Sequence, residues 1–271
     1  MSLTFTLDLE DHRPDETAEL RFPVITERLL DDLDEWGVTG TVFAVGEVVR
    51  DHPDLVKRIA ARGHEIGLHG ARHTPLPEVG PDRFAAETAE ATDRLAQLIG
   101  CPVRGFRAPI FSLVPASKWA PAVLTDLGYS YSSSVLPAAN PLFGWPGAPT
   151  RPFRWPCGLV ELPAPVHGVG SVRLPLFGGT YLRLTPAVVA RLLAQRAPKH
   201  AWLYAHPYDF DVDEERWVVP EVGALGSRTL WWGRSGMRNK VASLVSGADR
   251  PLAIIAEQVA DETVQFDPET T

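Results

Sequence analysis

The sequence has little cysteine and no long apolar run, and both absences restrict the kinds of protein it can encode. Its two cysteines, Cys101 and Cys157, are too few for a disulfide framework or a cysteine zinc site. We expect both to be buried thiols. No stretch of 18 apolar residues is present, so we predict no membrane-spanning helix and no stable membrane insertion.

A leader peptide and an excess of positive charge are also missing. The opening residues, MSLTFTLDLEDH, have neither a basic start nor an apolar core, so we expect a cytoplasmic protein. The formal net charge is −8. Because nucleic-acid binders usually carry a basic face, we expect no nucleic-acid partner. The sequence leaves the oligomeric state open, a homo-oligomer included.

Neither an internal repeat nor a low-complexity linker divides the 271 residues. We therefore expect a single domain, with a core of about residues 3–210 and a C-terminal extension, 211–271, packed on it.

Short apolar runs alternate with amphipathic segments, which is typical of β-α-β units. Strands are predicted at 3–9, 41–45, 65–68, 103–107, 129–135 and 201–205. Helices are predicted at 26–36, 54–62, 82–98, 117–127, 185–197 and 238–245, with Ser117 as an N-cap. Residues 136–184 are rich in Pro and Gly and indicate hairpins or long loops. This pattern predicts an α/β fold with a parallel sheet, and a distorted (β/α) barrel fits it best.

Three polar clusters follow the C-terminal ends of predicted strands, where barrels of this class carry their catalytic groups. The clusters are Asp8-Leu9-Glu10-Asp11-His12, His69-Gly70-Ala71-Arg72-His73 and Ala205-His206-Pro207-Tyr208-Asp209. One such cluster would indicate little, but three on one rim favour a catalytic site.

His69 and His73 are the sharpest local indication of a metal site. In a helical turn, two imidazoles four residues apart face the same way and can bind one ion. The HExxH motif of zinc proteases is absent, because Leu68 stands where its second histidine would be. An acid of the first cluster would complete a site with a position for water, and a second acid would be free as a base.

Arg107 and His206 also end predicted strands. Arg107, in GFRAPIFS, can form a bidentate pair with a buried carboxylate and hold it ionised; a surface salt bridge is the alternative. His206, in LYAHPYDF, titrates in the range that a general acid for an amine leaving group needs. A structural, hydrogen-bonded histidine is the alternative interpretation.

Taken together, these segments resemble the polysaccharide deacetylase family, the NodB homology domain of carbohydrate esterase family 4. The matching stretches are LDLEDH, HEIGLHGARH, GFRAPIFS, LGYSYSSSV, GGTYLR and AHPYDF, in this order. The pattern is similar to that of the exosortase-associated polysaccharide deacetylases. The resemblance implies a distorted (β/α)7-type barrel that removes the acetyl group of an N-acetylated amino sugar. It also implies one divalent ion, with zinc as first choice and Co, Ni, Mn and Fe as alternatives.

The resemblance also implies roles for single residues. Asp8 corresponds to the base, Arg107 to the arginine that orients it, and His206 to the acid. The N–H of Ile110 corresponds to an oxyanion donor, and Phe111 stands where the family has glycine, so we expect a narrower groove. Tyr181 and Tyr208 are further candidates for contact with substrate.

The predicted metal ligands are His69, His73 and one acid. The family has two adjacent aspartates, whereas this chain reads Asp8-Leu9-Glu10-Asp11. Strand geometry places Asp8 and Glu10 on one face, but a turn at Glu10 could bring in Asp11. We favour Asp11 as the third ligand, with Glu10 close behind.

Two other functions stay open. Members of the same superfamily open cyclic amides, imides or allantoin, and a non-catalytic carbohydrate-binding scaffold would have lost its base or acid. Both Asp8 and His206 are present, which favours an enzyme. The substrate could be a polysaccharide, an oligosaccharide or a lipid- or nucleotide-linked precursor, and the absence of a leader favours a precursor.

Overall fold

The computed structural model describes residues 2–169, 172–218 and 223–269. The strands in this part of the chain are β1 (Thr4–Leu9), β2 (Thr41–Ala44), β3 (Glu65–Leu68), β4 (Gly105–Phe106), β5 (Tyr131–Ser132), β6 (Phe153–Arg154), β7 (Val160–Glu161), β8 (His167–Val169), β9 (Val172–Leu174), β10 (Trp202–Ala205) and β11 (Val264–Gln265). The α-helices are α1 (Phe22–Glu35), α2 (Gly46–Asp51), α3 (Pro53–Ala61), α4 (Leu76–Val79), α5 (Pro81–Ile99), α6 (Ala120–Asp126), α7 (Gly179–Leu184), α8 (Ala187–Gln195), α9 (Gly223–Trp231), α10 (Met237–Val245) and α11 (Leu252–Val259).

One sheet of nine strands forms the centre of the molecule, in the order β10-β1-β2-β3-β4-β5-β7-β6-β11. The first seven strands of that order run parallel, whereas β6 is antiparallel to β7. Seven parallel strands with intervening helices confirm the predicted α/β fold. β8 and β9 pair separately as an antiparallel hairpin, which lies in the predicted insertion.

Strand β1 explains how the sheet positions polar groups. All six of its residues are buried. Side chains alternate along a strand, so Thr4, Thr6 and Asp8 share one face, and Leu7 and Leu9 lie on the other with the main apolar core. The polar row therefore leads to Asp8 near the C-terminal end of the strand.

Helices α1 and α5 follow from apolar residues at helical spacing. In α1, Leu29, Leu30 and Leu33 are buried. Helix α5 ends at Ile99 and is followed by Gly100, whose φ of 73° is the left-handed conformation that glycine adopts readily. Both helices lie within a few residues of their predicted ranges.

Three local predictions are wrong. The helix before β5 begins at Ala120, because the Ser117 hydroxyl instead closes a 3-10 turn by accepting the Val114 N–H at 3.0 Å. GGTYLR forms most of helix α7 rather than a loop or hairpin. Cys101 is exposed and Cys157 is only partly buried.

The C-terminal residues are hydrogen-bonded to β2 and to the residue that precedes β1. The Leu3 N–H donates to the Leu244 carbonyl at 2.8 Å, and Leu252 donates to the Thr41 hydroxyl at 2.8 Å. We therefore propose that the extension and the core form one domain. Within the described ranges, no helix is both long and apolar enough to cross a bilayer.

Candidate metal and catalytic site

Glu10, His69 and His73 meet beyond the C-terminal ends of β1 and β3. Each offers one ligand atom, and these atoms all lie within 4.8 Å of one another. Glu10 Oε2 is 2.5 Å from His73 Nε2. Glu10 and His69 are buried, whereas the side chain of His73 is 37% exposed. The cluster is therefore accessible from solvent through His73.

A backbone carbonyl sets the orientation of His69. Its Nδ1 lies 2.9 Å from the carbonyl oxygen of Arg107. Because a carbonyl only accepts hydrogen bonds, Nδ1 carries the proton and Nε2 is free to bind an ion. Burial lowers the pKa of His69 to about 4, so the ring is neutral at pH 7, as a metal ligand must be.

Glu10 supplies the negative charge of the cluster. Burial alone would raise its pKa, but the charge and hydrogen bond of His73 and the charge of His206 together lower it to about 2. Two imidazoles and one ionised carboxylate are the ligand set of many catalytic zinc sites, which keep a further position for water. These three residues therefore fit a divalent ion.

The segment between the two histidines is a bend and not the helical turn used to predict their pairing. Gly70 has a φ of 75°, and a Cβ atom there would lie 2.8 Å from the Arg72 carbonyl oxygen. The bend nevertheless brings the ring centroids of His69 and His73 to 5.4 Å.

Asp11 does not join the cluster. Its exposed carboxylate accepts hydrogen bonds from Nε of Arg13 at 2.8 and 3.1 Å. Glu10 takes the expected place of Asp11 because the two-residue period of the strand carries it to the same side as Asp8. We therefore propose Glu10, in place of the favoured Asp11, as the third ligand.

Arg107 is fully buried and contacts Asp8. Its Nη1 donates to Asp8 Oδ1 at 2.7 Å and to the Thr6 hydroxyl at 2.8 Å. The guanidinium carbon lies 4.2 Å from the ring centroid of Phe43 and 4.4 Å from that of Trp202, so two aromatic faces fix its plane. The predicted pair with Asp8 thus exists, but it uses one carboxylate oxygen instead of two.

His206 faces the same two acids from β10. Its Nε2 is 4.0 Å from Asp8 Oδ2 and 4.0 Å from Glu10 Oε1. On the other side of the ring, Nδ1 lies 2.9 Å from Asp209 Oδ2. Burial alone would lower the pKa of His206, but the hydrogen bond and charge of Asp209 and the charge of Glu10 raise it to about 9. The imidazole is therefore protonated at neutral pH.

Asp209 is a site residue that the sequence reasoning missed. It is fully buried, and its Oδ1 pairs with Nε of Arg183 at 2.7 Å. Asp209 stands three residues after His206, within the 3-10 turn Pro207–Phe210, and it also accepts the His206 backbone N–H at 2.9 Å. The available signal was an acid closely following a strand-end histidine.

Of the two predicted substrate contacts that follow Arg107, only the first is exposed. Ile110 is 37% exposed and Phe111 is buried, and both have a positive φ, 55° and 53°, which is uncommon outside glycine and marks backbone strain. Phe111 packs against the rings of Trp202 and Tyr204, so it lines the interior and not a groove. This corrects its assignment as a substrate contact.

The two tyrosines differ in position. The Tyr208 ring stacks on His206 at 4.6 Å between centroids with an interplanar angle of 9°, so it supports that imidazole. Tyr181 lies on α7 and is partly buried. Trp202 and Trp155 are core residues, only 1% exposed.

Residues 10–132 match the family model described as polysaccharide deacetylase, and residues 133–250 match a domain of unknown function, DUF3473. The segment 10–132, just under half of the chain, is therefore similar to the polysaccharide deacetylase family. The candidate site spans both matches: the proposed ligands Glu10, His69 and His73 lie in the first, and His206 lies in the second.

Curated relatives are similar to part of this chain. A peptidoglycan-N-acetylglucosamine deacetylase of Bacillus cereus is 33% identical over 107 residues, 39% of this chain and 38% of the relative. A chitooligosaccharide deacetylase of Sinorhizobium fredii is 34% identical over 106 residues, 38% of this chain and 46% of the relative. The matches thus span less than half the length of either relative.

A solved structure is similar in fold to nearly the whole chain. A Mycobacterium smegmatis protein assigned to the polysaccharide deacetylases has a TM-score of 0.61 at 21% identity, over 97% of this chain and 92% of its own. At this identity the likeness concerns the fold alone, and it agrees with the seven parallel strands described above.

Proposed function

We propose that the protein is a metal-dependent N-deacetylase that hydrolyses the acetamide of an N-acetylated amino sugar to acetate and amine. One observation carries this proposal: the Glu10–His69–His73 cluster lies beside a buried Asp8 and a protonated His206, whose Nε2 is 4.0 Å from Asp8. The relatives from Bacillus cereus and Sinorhizobium fredii, both named as deacetylases of N-acetylated sugars, support the substrate class.

Glu10, His69 and His73 would hold the divalent ion, for which we take zinc as the first choice. Such an ion, when bound, polarises the amide carbonyl and lowers the pKa of a coordinated water. The protein contributes the neutral tautomer of His69, the charge of Glu10 and access through the half-exposed His73.

Asp8 would act as the general base. Arg107 holds its Oδ1, which leaves Oδ2 free to take the proton of the attacking water as the water oxygen bonds to the carbonyl carbon. The N–H of Ile110 would donate a hydrogen bond to the oxyanion formed in this step. Tyr181, near the start of α7, would contact the sugar ring.

His206 would act as the general acid. Its Nδ1 is held by Asp209, so Nε2 faces Asp8 and Glu10 with a proton to donate. As the carbon–nitrogen bond breaks, that proton moves to the departing amine nitrogen, and acetate remains as the second product.

Acetate release by protein of measured metal content tests this function. The substrates should include N-acetylated chitooligosaccharides, peptidoglycan fragments, a nucleotide-linked N-acetyl sugar, cyclic imides and allantoin. We expect acetate from at least one N-acetyl sugar, loss of turnover on chelation and recovery when zinc or cobalt is restored. Ring opening of the cyclic amides alone, or sugar binding without turnover at full metal content, would contradict the proposal.

A further inference from the structure

Helix α8 buries its smallest residues and exposes its largest apolar ones. Ala190 and Ala194 are buried, whereas Val188, Val189 and Leu192 are 62%, 39% and 50% exposed. A surface helix of a globular domain normally shows the reverse, with large apolar side chains against the core. Its outward face is therefore apolar and largely open to solvent.

Two neighbouring residues extend this face. Leu184, at the end of α7, is 47% exposed, and Trp232 is 68% exposed. The side chain of Arg183 donates to the carbonyls of Leu230 and Trp232, which holds the turn with Trp232 against α7. We call the following set the apolar patch: Leu184, Val188, Val189, Leu192 and Trp232.

The chain segment that contains α8 has the opposite charge sign to the whole chain. Residues 127–208 contain seven basic residues and one acid, Glu161, which is fully buried, although the net charge of the chain is −8. Arg191, Arg196 and Lys199 lie on α8 or directly after it and are exposed. An apolar face bordered by exposed cations and free of exposed acids in its own segment complements a negatively charged, partly apolar surface.

A cavity of about 510 Å³ lies at the C-terminal end of α8 and adds to this charge. Arg196 and Arg151 line it, together with His167 and His200. Among the described residues that line this cavity there is no acid. The other lining residues are mainly apolar, and several are prolines. Because two arginines line the cavity without an acid, it is suited to an anionic head group.

We propose that the apolar patch docks on a bilayer that contains anionic phospholipids. Val188, Leu192 and Trp232 would lie among the head groups and upper acyl chains, with Arg191 and Arg196 at the lipid phosphates. A symmetric contact with a second copy is disfavoured, because it would place the same basic segment of both copies face to face.

Docking would bring the catalytic rim close to the lipid. Helix α7 runs from Gly179, where a Cβ atom would lie 3.3 Å from the His206 ring, to the exposed Leu184. Six helical residues span about 9 Å. The proposed docking depends on the exposed apolar patch and the basic residues beside it. It does not depend on the reaction at His206.

Vesicle co-sedimentation of the full chain tests the docking. We expect binding to vesicles of phosphatidylcholine mixed with phosphatidylglycerol, little binding to phosphatidylcholine alone, and weaker binding at high ionic strength. Val188→Asp should weaken binding by about tenfold or more, since it removes an apolar contact and adds a repelled charge. Val24→Asp is the matched control, because Val24 on α1 is also a valine and is 54% exposed.

Three outcomes would overturn the docking: no binding of the parent protein to anionic vesicles, equal losses in the two variants, or a dimer in solution that Val188→Asp dissociates. Turnover of a soluble N-acetyl sugar by Val188→Asp, at the parent rate, separates docking from catalysis. If vesicle binding fails while turnover persists, only the docking is refuted; if binding follows the prediction without any turnover, only the proposed function is refuted.

Discussion

Arg107 holds Asp8 by one carboxylate oxygen and leaves the other facing His206. Nη1 of Arg107 donates to Oδ1 at 2.7 Å, and Oδ2 lies 4.0 Å from His206 Nε2. The two oxygens of Asp8 therefore have different surroundings. A buried guanidinium fixes Oδ1, whereas Oδ2 faces the space between His206 and the Glu10–His69–His73 cluster. This division suits a base that must keep its orientation while it accepts a proton.

Asp8→Asn should abolish most turnover and leave the metal bound. The amide keeps the shape of the side chain but cannot accept the proton, and general-base catalysis typically contributes about 10²–10⁴-fold. The proposed ligands Glu10, His69 and His73 are unchanged in this variant. Acetate release and metal analysis of the same preparation check this. Loss of the ion would make Asp8 a ligand instead, and full activity would remove it from the mechanism.

Arg107→Ala should destabilise the fold. Removing one partner of a buried ion pair costs about 3–5 kcal/mol, because the remaining charge is left uncompensated. The change also removes the group packed between Phe43 and Trp202. Urea unfolding measures the loss, and Arg28→Ala, at an exposed position on α1, should stay within about 0.5 kcal/mol of the parent protein. Equal effects of the two variants would contradict the role of the buried pair.

Glu10→Gln should weaken metal binding much more than Asp11→Asn. Glu10 supplies the carboxylate of the cluster, whereas Asp11 is exposed and pairs with Arg13. Changes to groups that only support metal ligands already cost about 10–100-fold in affinity, so loss of a ligand should cost at least as much. Competitive titration with a metal-binding dye measures both variants. A larger loss in Asp11→Asn would reinstate Asp11 as the ligand.

Much of the fold is predictable because the hydrophobic period is visible in the sequence. Strand β3 has its predicted bounds. Helix α5 is close to its predicted range, since its buried residues Phe84, Thr88, Ala91 and Leu95 recur at helical spacing. Strands β4 and β5 consist of two residues each, much shorter than the apolar runs that predicted them. The length of such a strand depends on its neighbours in the sheet and is not determined by local sequence.

The sequence predicted that the site lies at the C-terminal ends of the strands, but it predicted the roles of single residues less well. Strand ends indicated Asp8, His69 and His206, because parallel strands place their C-terminal ends together. The choice between Glu10 and Asp11 depended on where the chain leaves β1, which propensity does not determine. The pairing of Asp209 with Arg183 is a tertiary contact between segments that the sequence shows only separately.

The pH dependence of turnover should report on His206 and Asp209. The hydrogen bond and charge of Asp209 help to raise the pKa of His206 to about 9, so the acid form persists at neutral pH and turnover should fall as the pH rises through that value. Asp209→Asn removes this charge while burial still favours the neutral imidazole, so the falling limb of the pH–kcat profile should move to lower pH. Arg183 also loses its partner in this variant, so the thermal unfolding midpoint and metal content must be measured in parallel. A limb that stays near pH 9 in a folded, metal-loaded variant would show that Asp209 does not control the proton of His206.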